Sequence, residues 1–331
     1  MAEALARCGN PSSPHAEGRA ARAELEKARA TIADALGWRH DVILTSGASE
    51  AISIVASRAR VEGRRVGASE HDAVIAAMGV DATTIPVDAG GIAQLATPET
   101  PTLIALQQVN NETGVIQPLD ELAAEARASD SLLFSDCAQS AGKLPLPDAD
   151  FIAISGHKLG GPLGIGALLV RDVATLAPSG GQEKGYRRGT ENVPAAAALA
   201  AALETRAFAQ AMPRLAALRA KLDDEIKAAG GIVIAELSPR MPAIGAYAMP
   251  DVSGASQLVQ FDLAGIAVSA GSACASGSMK ASRVLAAMGV PPQIGACFVR
   301  VSFGPQTGEQ DVDRFLAEWR RIATTAGARA A

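Results

Sequence analysis

Apolar positions along the chain follow two rhythms. Residues 17–36 carry them at helical spacing and end at Gly37, a residue suited to closing a helix. Residues 41–44 then make a short apolar run that predicts a strand. The next segment, TSGASEAISIV, turns at Gly47 and continues as a helix, which puts Ser49 and nearby backbone amides at a helix N-terminus. Short apolar runs recur at residues 103–106, 132–134, 151–154 and 165–170, separated by helical or turn-rich stretches. Strands alternating with helices predict an α/β fold on a mainly parallel sheet, whose ligands bind beyond the carboxyl ends of the strands. Residues 194–230 read as two helical stretches without a strand, after which short strands and loops return. This change predicts a large domain over residues 1–209 and a smaller α/β domain over residues 210–331.

A chain of 331 residues is long enough for two such cores. It is 48% hydrophobic and 20% charged, and its net charge of -5 offers no basic face for nucleic acid. Nor does any run of Lys and Arg favour a membrane surface. The alanine-rich residues 195–203 are too few to span a bilayer and lead into charged residues 204–206, so they read as a buried helix. The opening MAEALARCGN lacks a basic end followed by a long apolar run, so no secretory leader is expected and a cytoplasmic location follows. Cys8, Cys137, Cys274 and Cys297 lack paired spacing and are expected as reduced thiols. The four histidines are equally dispersed, so no fixed metal site is expected.

The chemistry gathers at the predicted strand ends. In FIAISGHKLGGPLGIGALLV, Lys158 directly follows a strand and precedes glycines that let another group approach the backbone. A lone lysine is usually a solvated charge. At the end of a buried strand its amine can form a Schiff base with an aldehyde, and pyridoxal 5'-phosphate (PLP) is the biological aldehyde that uses one. Such a site needs an acid opposite the pyridine nitrogen. Asp136, in LLFSDCAQS, meets that need from the neighbouring strand end, with a helix cap as the alternative. Gly47, Ala48 and Ser49 offer amides and a hydroxyl to a phosphate, although ordinary N-caps look the same. His71, in SEHDAVI, is a ring to stack on the cofactor or a half-buried loop histidine. Asn111, in VNNETGV, is a donor to the cofactor's phenolate oxygen or a plain turn residue. Cys274, in SAGSACASGS, has only small neighbours, which suits an exposed thiol that accepts sulfur. Arg300, in FVRVSFG, is a fork for a substrate carboxylate or half of a surface ion pair.

Taken in order, GNPSSPH, TSGASE, EHDAV, VNNETGV, DCAQSAGKLP, SGHKLGGPLGIGAL, GGQEKGYRRGTEN, GSACASGS and VRVSFG resemble the cysteine desulfurases of the class V aminotransferase superfamily, from about Cys8 to about Gln310. The resemblance implies a fold type I PLP-dependent transferase, working as a homodimer. It implies conversion of L-cysteine to L-alanine, with the sulfur held as a persulfide on Cys274. Lys158 then matches the Schiff-base lysine, Asp136 the pyridinium partner, Gln139 and Asn111 the phenolate-side contacts, and His71 the stacking ring. Ala48, Ser49, Ser155 and His157 match the phosphate side, Thr190 a contact to the neighbouring subunit's phosphate, and Arg300 the substrate-carboxylate arginine. The form GSAC-x-SGS resembles the group with a long cysteine loop, which implies an iron–sulfur scaffold as acceptor, tRNA thiolation as a further outlet, and Cys274 as a transient iron–sulfur contact. Ser49 stands where threonine is usual, and Pro305 where arginine is frequent. The family's opening strand, with its Ala-Thr-Thr turn, has no counterpart here, so weaker turnover with retained cofactor binding is expected. The alternatives are another class V enzyme, such as a selenocysteine lyase or an aminotransferase, and a degenerate PLP-fold binding partner.

Overall fold

Helical spacing near the N-terminus produces the helix Ala16–Leu36, capped at its start by the His15 ring, which accepts from the Gly18 N–H. Its other end closes on Gly37 at φ 68°, with Trp38 N–H donating to Ala33 C=O and Gly37 N–H to Asp34 C=O. That paired closure needs a residue at home in the left-handed region, which glycine is. The structure, a computed structural model, describes residues 1–7, 9–270 and 281–330, and Cys8 and Cys274 lie outside them.

Seven strands form the large sheet: β1 (Asp41–Thr45), β2 (Gly63–Gly67), β3 (Thr83–Ile85), β4 (Thr102–Ala105), β5 (Leu132–Asp136), β6 (Phe151–Ser155) and β7 (Gly166–Val170). Their order is β1-β7-β6-β5-β4-β2-β3. The pairings from β3 through β2, β4 and β5 to β6 are all parallel, whereas β7 runs against both of its neighbours. The mainly parallel α/β architecture expected from the sequence is present, with a reversal at residues 165–170. An apolar run reads the same in both directions, but the link from Ser155 to Gly166 is too short for the crossover that a parallel return needs. Because β7 opposes both β1 and β6, the carboxyl ends of β1, β6 and β5 share one rim.

Ile43, Leu103, Phe134, Phe151 and Leu168, none more than 1% exposed, fill this sheet, and Ile52 and Val55 of the helix Ala48–Arg58 pack on it. The chain divides into two compact units. The first comprises Met1–Ile85, Leu95–Gln108 and Pro118–Ala209; the second comprises Pro86–Gln94, Val109–Gln117 and Gln210–Ala331. Two short segments of the N-terminal half thus belong with the C-terminal unit, where a single cut was expected. The second unit carries an antiparallel sheet of β8 (Ile232–Val233), β9 (Ile244–Ala248) and β10 (Phe298–Ser302), in the order β10-β9-β8. Tyr247, Phe261, Phe298 and Trp319 are buried in its core. No helix among the described residues is long and apolar enough to cross a membrane.

Candidate functional site

Parallel pairing sets Asp136, the last residue of β5, opposite Ala153 of β6, two residues before β6 ends at Ser155. One 3-10 turn, Gly156–Lys158, then carries Lys158 over the same rim. The end of β1 joins them through Gly47 and the start of the helix Ala48–Arg58. Gly166 of β7 pairs with Thr45, and a Cβ placed on it would lie 2.7 Å from the Gly47 Cα and 2.4 Å from the Ile154 carbonyl oxygen. Only glycine lets β7 lie this close beneath the turn. A cavity of about 410 Å³ opens above the rim, lined by Gly47, Ala48, Ser49, His71, Asp136, Ser155, His157 and Lys158 among others.

The polar groups of this cavity are held by neighbours close in the sequence. Asp136 is half-buried by area, but its carboxyl sits deep enough that burial raises its pKa, outweighing the Ala138 N–H and the neighbouring Lys158 and His71, which act the other way. The Ala138 N–H donates to Oδ1 at 2.9 Å, so the capping role is real and leaves the carboxylate capacity to accept more. His71 caps the helix Asp72–Met78: its Nδ1 accepts from the Ala73 N–H at 3.1 Å, and its ring is exposed at the cavity. His157 Nδ1 lies 2.9 Å from the Ser155 hydroxyl, and burial, then the Lys158 charge, lower its pKa. Burial, then the Lys158 charge, also bring the Lys143 ammonium down to about 8; its Nζ sits 5.0 Å from the Phe208 ring centroid.

Several residues that shape the site escaped the sequence reading. Glu50 lines the cavity and accepts from the Ser46 N–H at 2.5 Å and from Arg187 Nε at 3.1 Å. Burial alone would raise the Glu50 carboxyl, but these donors hold it below its usual range. Glu183, buried, accepts from Arg29 Nη1 at 2.6 Å and from the Leu44 N–H at 2.7 Å. Together the two acids bolt the 182–189 loop to β1 and its turn. An acidic residue in the first helical turn was the visible signal for Glu50; Glu183 gave none, because its partners are distant in sequence.

The remaining candidates are not among the residues that line this cavity. The cavity lining does not include Gln139, and Thr190 lines a different cavity of the first unit. Asn111 and Arg300 both belong to the second unit. Arg300 donates from Nη1 to the Asn111 carbonyl at 2.7 Å and from Nη2 to the Ser269 hydroxyl at 2.9 Å, while its buried Nε has no hydrogen-bond partner among the described residues. Burial lowers the Arg300 pKa despite the nearby Glu112. The turn in VNNETGV is made by Asn110, whose Oδ1 accepts from the Glu112 and Thr113 N–H groups. Of the other cysteines, Cys137 is fully buried with its thiol pushed up to about 12 by burial, and Cys297 is buried too.

Comparison with known proteins bears directly on this rim. A family model described as aminotransferase class-V matches residues 3–315. A cysteine desulfurase of Gluconacetobacter diazotrophicus is 35% identical, over 93% of this chain and 84% of its own length. The chain belongs to the class-V aminotransferase family, among its cysteine desulfurases. The X-ray structure of a NifS-like protein from Rickettsia africae superposes with a TM-score of 0.88 at 27% identity, covering 98% of this chain and 94% of that one. A structure described as SspA in complex with cysteine matches 93% of this chain and 95% of its own at 27% identity and a TM-score of 0.76. These folds share the α/β architecture described above.

Proposed function

We propose that the chain is a PLP-dependent cysteine desulfurase that converts L-cysteine to L-alanine and holds the released sulfur on Cys274. The observation that carries the reading is the convergence of a lysine amine, a buried carboxyl and a helix N-terminus with hydroxyl groups on one sheet rim. That donor set fits PLP. Lys158 would hold the aldehyde carbon and Asp136 would face the pyridine nitrogen, its raised carboxyl answered by a cationic ring N–H. The Ala48 and Ser49 amides, the Ser49 and Ser155 hydroxyls and His157 would surround the phosphate, with His71 against the ring, and Gln139 and Asn111 assigned to the phenolate side. Bound there, PLP supplies an electron sink for the charge left on the substrate α-carbon when its proton is removed.

The chain's own residues supply the rest. Arg300 takes the substrate carboxylate, for which its Nε, without a hydrogen-bond partner among the described residues, is a donor. The Lys158 amine removes the α-proton and Asp136 keeps a proton on the ring nitrogen. The Cys274 thiolate attacks the substrate sulfur: a sulfur–sulfur bond forms, the carbon–sulfur bond breaks, and its electron pair is taken up with protons at carbon. L-cysteine and the Cys274 thiol thereby become L-alanine and a persulfide. The reading extends to a cytoplasmic homodimer in which Thr190 serves the neighbouring subunit's phosphate, and to sulfur delivery to an acceptor such as an iron–sulfur scaffold. Thr190 lining a cavity other than that of Lys158 supports that assignment.

Product analysis tests the function. Purified protein with PLP, L-cysteine and a thiol reductant should form alanine and sulfide in equal amounts. Amino transfer to a keto acid without sulfide would contradict the reading.

A further inference from the structure

In the homodimer proposed above Thr190 serves the neighbouring subunit's phosphate, and its own chain fixes it from both sides. After it, the Asn192 side chain caps the helix Val193–Glu204 by accepting from the Ala195 N–H at 3.1 Å. Before it, Gly189 has both backbone polar groups engaged: its N–H donates to Gln182 Oε1 at 3.2 Å, and its carbonyl accepts from Arg187 Nη1 at 3.0 Å. Gly189 sits at φ 99°, in the left-handed region that glycine enters without strain, so the chain can turn back onto Arg187 here.

The same guanidinium reaches the turn of its own chain's cofactor cavity. Arg187 Nε donates to Glu50 at 3.1 Å on Oε1 and 3.3 Å on Oε2, and Glu50 Oε2 also accepts from the Ser46 N–H at 2.5 Å. Glu50 lines that cavity and directly follows Ala48 and Ser49, whose amides are assigned to the phosphate. Both side chains of the pair are largely covered, 16% exposed for Arg187 and 29% for Glu50, which spares it much of the screening that weakens surface pairs. A planar guanidinium presents its donors at fixed angles, so holding Glu50 with one nitrogen sets the direction in which another holds Gly189. Ser46, Glu50, Arg187 and Gly189 thus form an unbroken run of hydrogen bonds, all within the first unit, from the chain's own phosphate turn to the residue before Thr190.

We propose that Arg187 is a positioning residue that acts across the dimer: from the turn that holds its own subunit's phosphate, it sets Thr190 against the neighbour's. The inference rests on the homodimer and on the assignment of Thr190 made above. PLP bound in one site then favours PLP in the other, because each phosphate steadies the turn from which the other site's Thr190 is held.

Mixed dimers of the full-length chain test this. Two different tags select dimers in which one subunit carries Lys158→Ala, so that lysine-bound PLP absorption reports the other subunit's site alone. PLP is removed and returned by equilibrium titration. With Arg187→Ala on the Lys158→Ala subunit, the reporting site should bind PLP about fivefold more weakly than in the dimer with both Arg187 residues, as expected at the low end of coupling between sites. With Arg187→Ala on the reporting subunit itself, the loss should be clearly smaller. Should Arg187→Ala fold poorly, Glu50→Gln, which removes the carboxylate that holds Nε, should show the same preference for the neighbouring site. Thr190→Ala on the Lys158→Ala subunit examines the assignment beneath. A monomer in sedimentation, or an affinity that Thr190→Ala leaves unchanged, overturns that assignment and the inference with it. A dimer in which Thr190→Ala weakens the reporting site overturns the inference alone if neither Arg187→Ala nor Glu50→Gln does so, or if they act as strongly from the reporting subunit.

Discussion

Two aspartates show how differently the two units treat a buried charge. In the second unit, Asp223 receives the Arg240 Nη2 donor at 2.7 Å on one oxygen and the Tyr247 hydroxyl at 2.8 Å on the other. Burial and the Asp223 charge raise the Tyr247 hydroxyl well above its ordinary value, so it stays a donor. In the first unit, Asp136 accepts one hydrogen bond among the described residues, from the Ala138 N–H, and burial raises its carboxyl. One charge is closed off by its own unit and holds a core; the other stands half-answered at a cavity. A buried ionisable group left in that condition marks a place for a ligand.

Removing each acid separates the two roles. Asp223→Ala should cost about 3–5 kcal/mol of stability in urea unfolding, because it strands the buried Arg240 guanidinium, and the visible spectrum of the bound cofactor should not move. Asp136→Asn should lower kcat/KM for L-cysteine by roughly 10²-fold, on the order of 2.7 kcal/mol, with the fold intact. A stability loss for Asp136→Asn as large as that for Asp223→Ala would erase the distinction.

A smaller effect is expected beneath the rim. Gly166→Ala forces a Cβ against the Ile154 carbonyl and Gly47, and should cost about 1–3 kcal/mol while weakening cofactor affinity, read by equilibrium titration of PLP. Undiminished PLP affinity would show that the turn does not depend on this close approach.

The smallest effect has the clearest sign. A carboxyl whose folded pKa lies above its unfolded value binds more protons when folded, so stability falls as pH rises from the ordinary carboxylate range through the raised value. In the cofactor-free protein Asp136→Asn should therefore stabilise the fold at neutral pH. That gain should vanish below the ordinary carboxylate range, as read by thermal unfolding across pH. A destabilised variant at neutral pH would mean that the Asp136 charge is already compensated.

Strand runs and turn residues made much of this rim legible. The apolar residues of β5 and β6 each end in a polar residue, so Asp136 and Lys158 were expected side by side, and the structure has them lining one cavity. The antiparallel course of β7 was hidden because direction depends on the connection rather than on composition. The transfer of Pro86–Gln94 and Val109–Gln117 to the second unit was hidden because each holds long-range pairings that no local pattern encodes. The Gln117 amide, for example, donates to the Gly91 carbonyl at 2.7 Å. The same limit concealed Glu183, whose partner Arg29 lies 154 residues away. Cys274 was singled out by its small-residue neighbours and by the family resemblance, and it lies outside the described residues.

The central claim is that Lys158 and Cys274 serve separate steps of one reaction, and a single paired assay tests it most directly. Visible absorption of the PLP-loaded protein and sulfide released from L-cysteine would be measured together for the wild type, Lys158→Ala and Cys274→Ala. Lys158→Ala should lose the lysine-bound cofactor absorption, and its turnover should fall by at least about 10³-fold. Cys274→Ala should keep that absorption yet release almost no sulfide, since Cys137 is buried with its thiol raised to about 12 and Cys297 is buried as well. Sulfide release by Cys274→Ala at close to the wild-type rate would contradict the account.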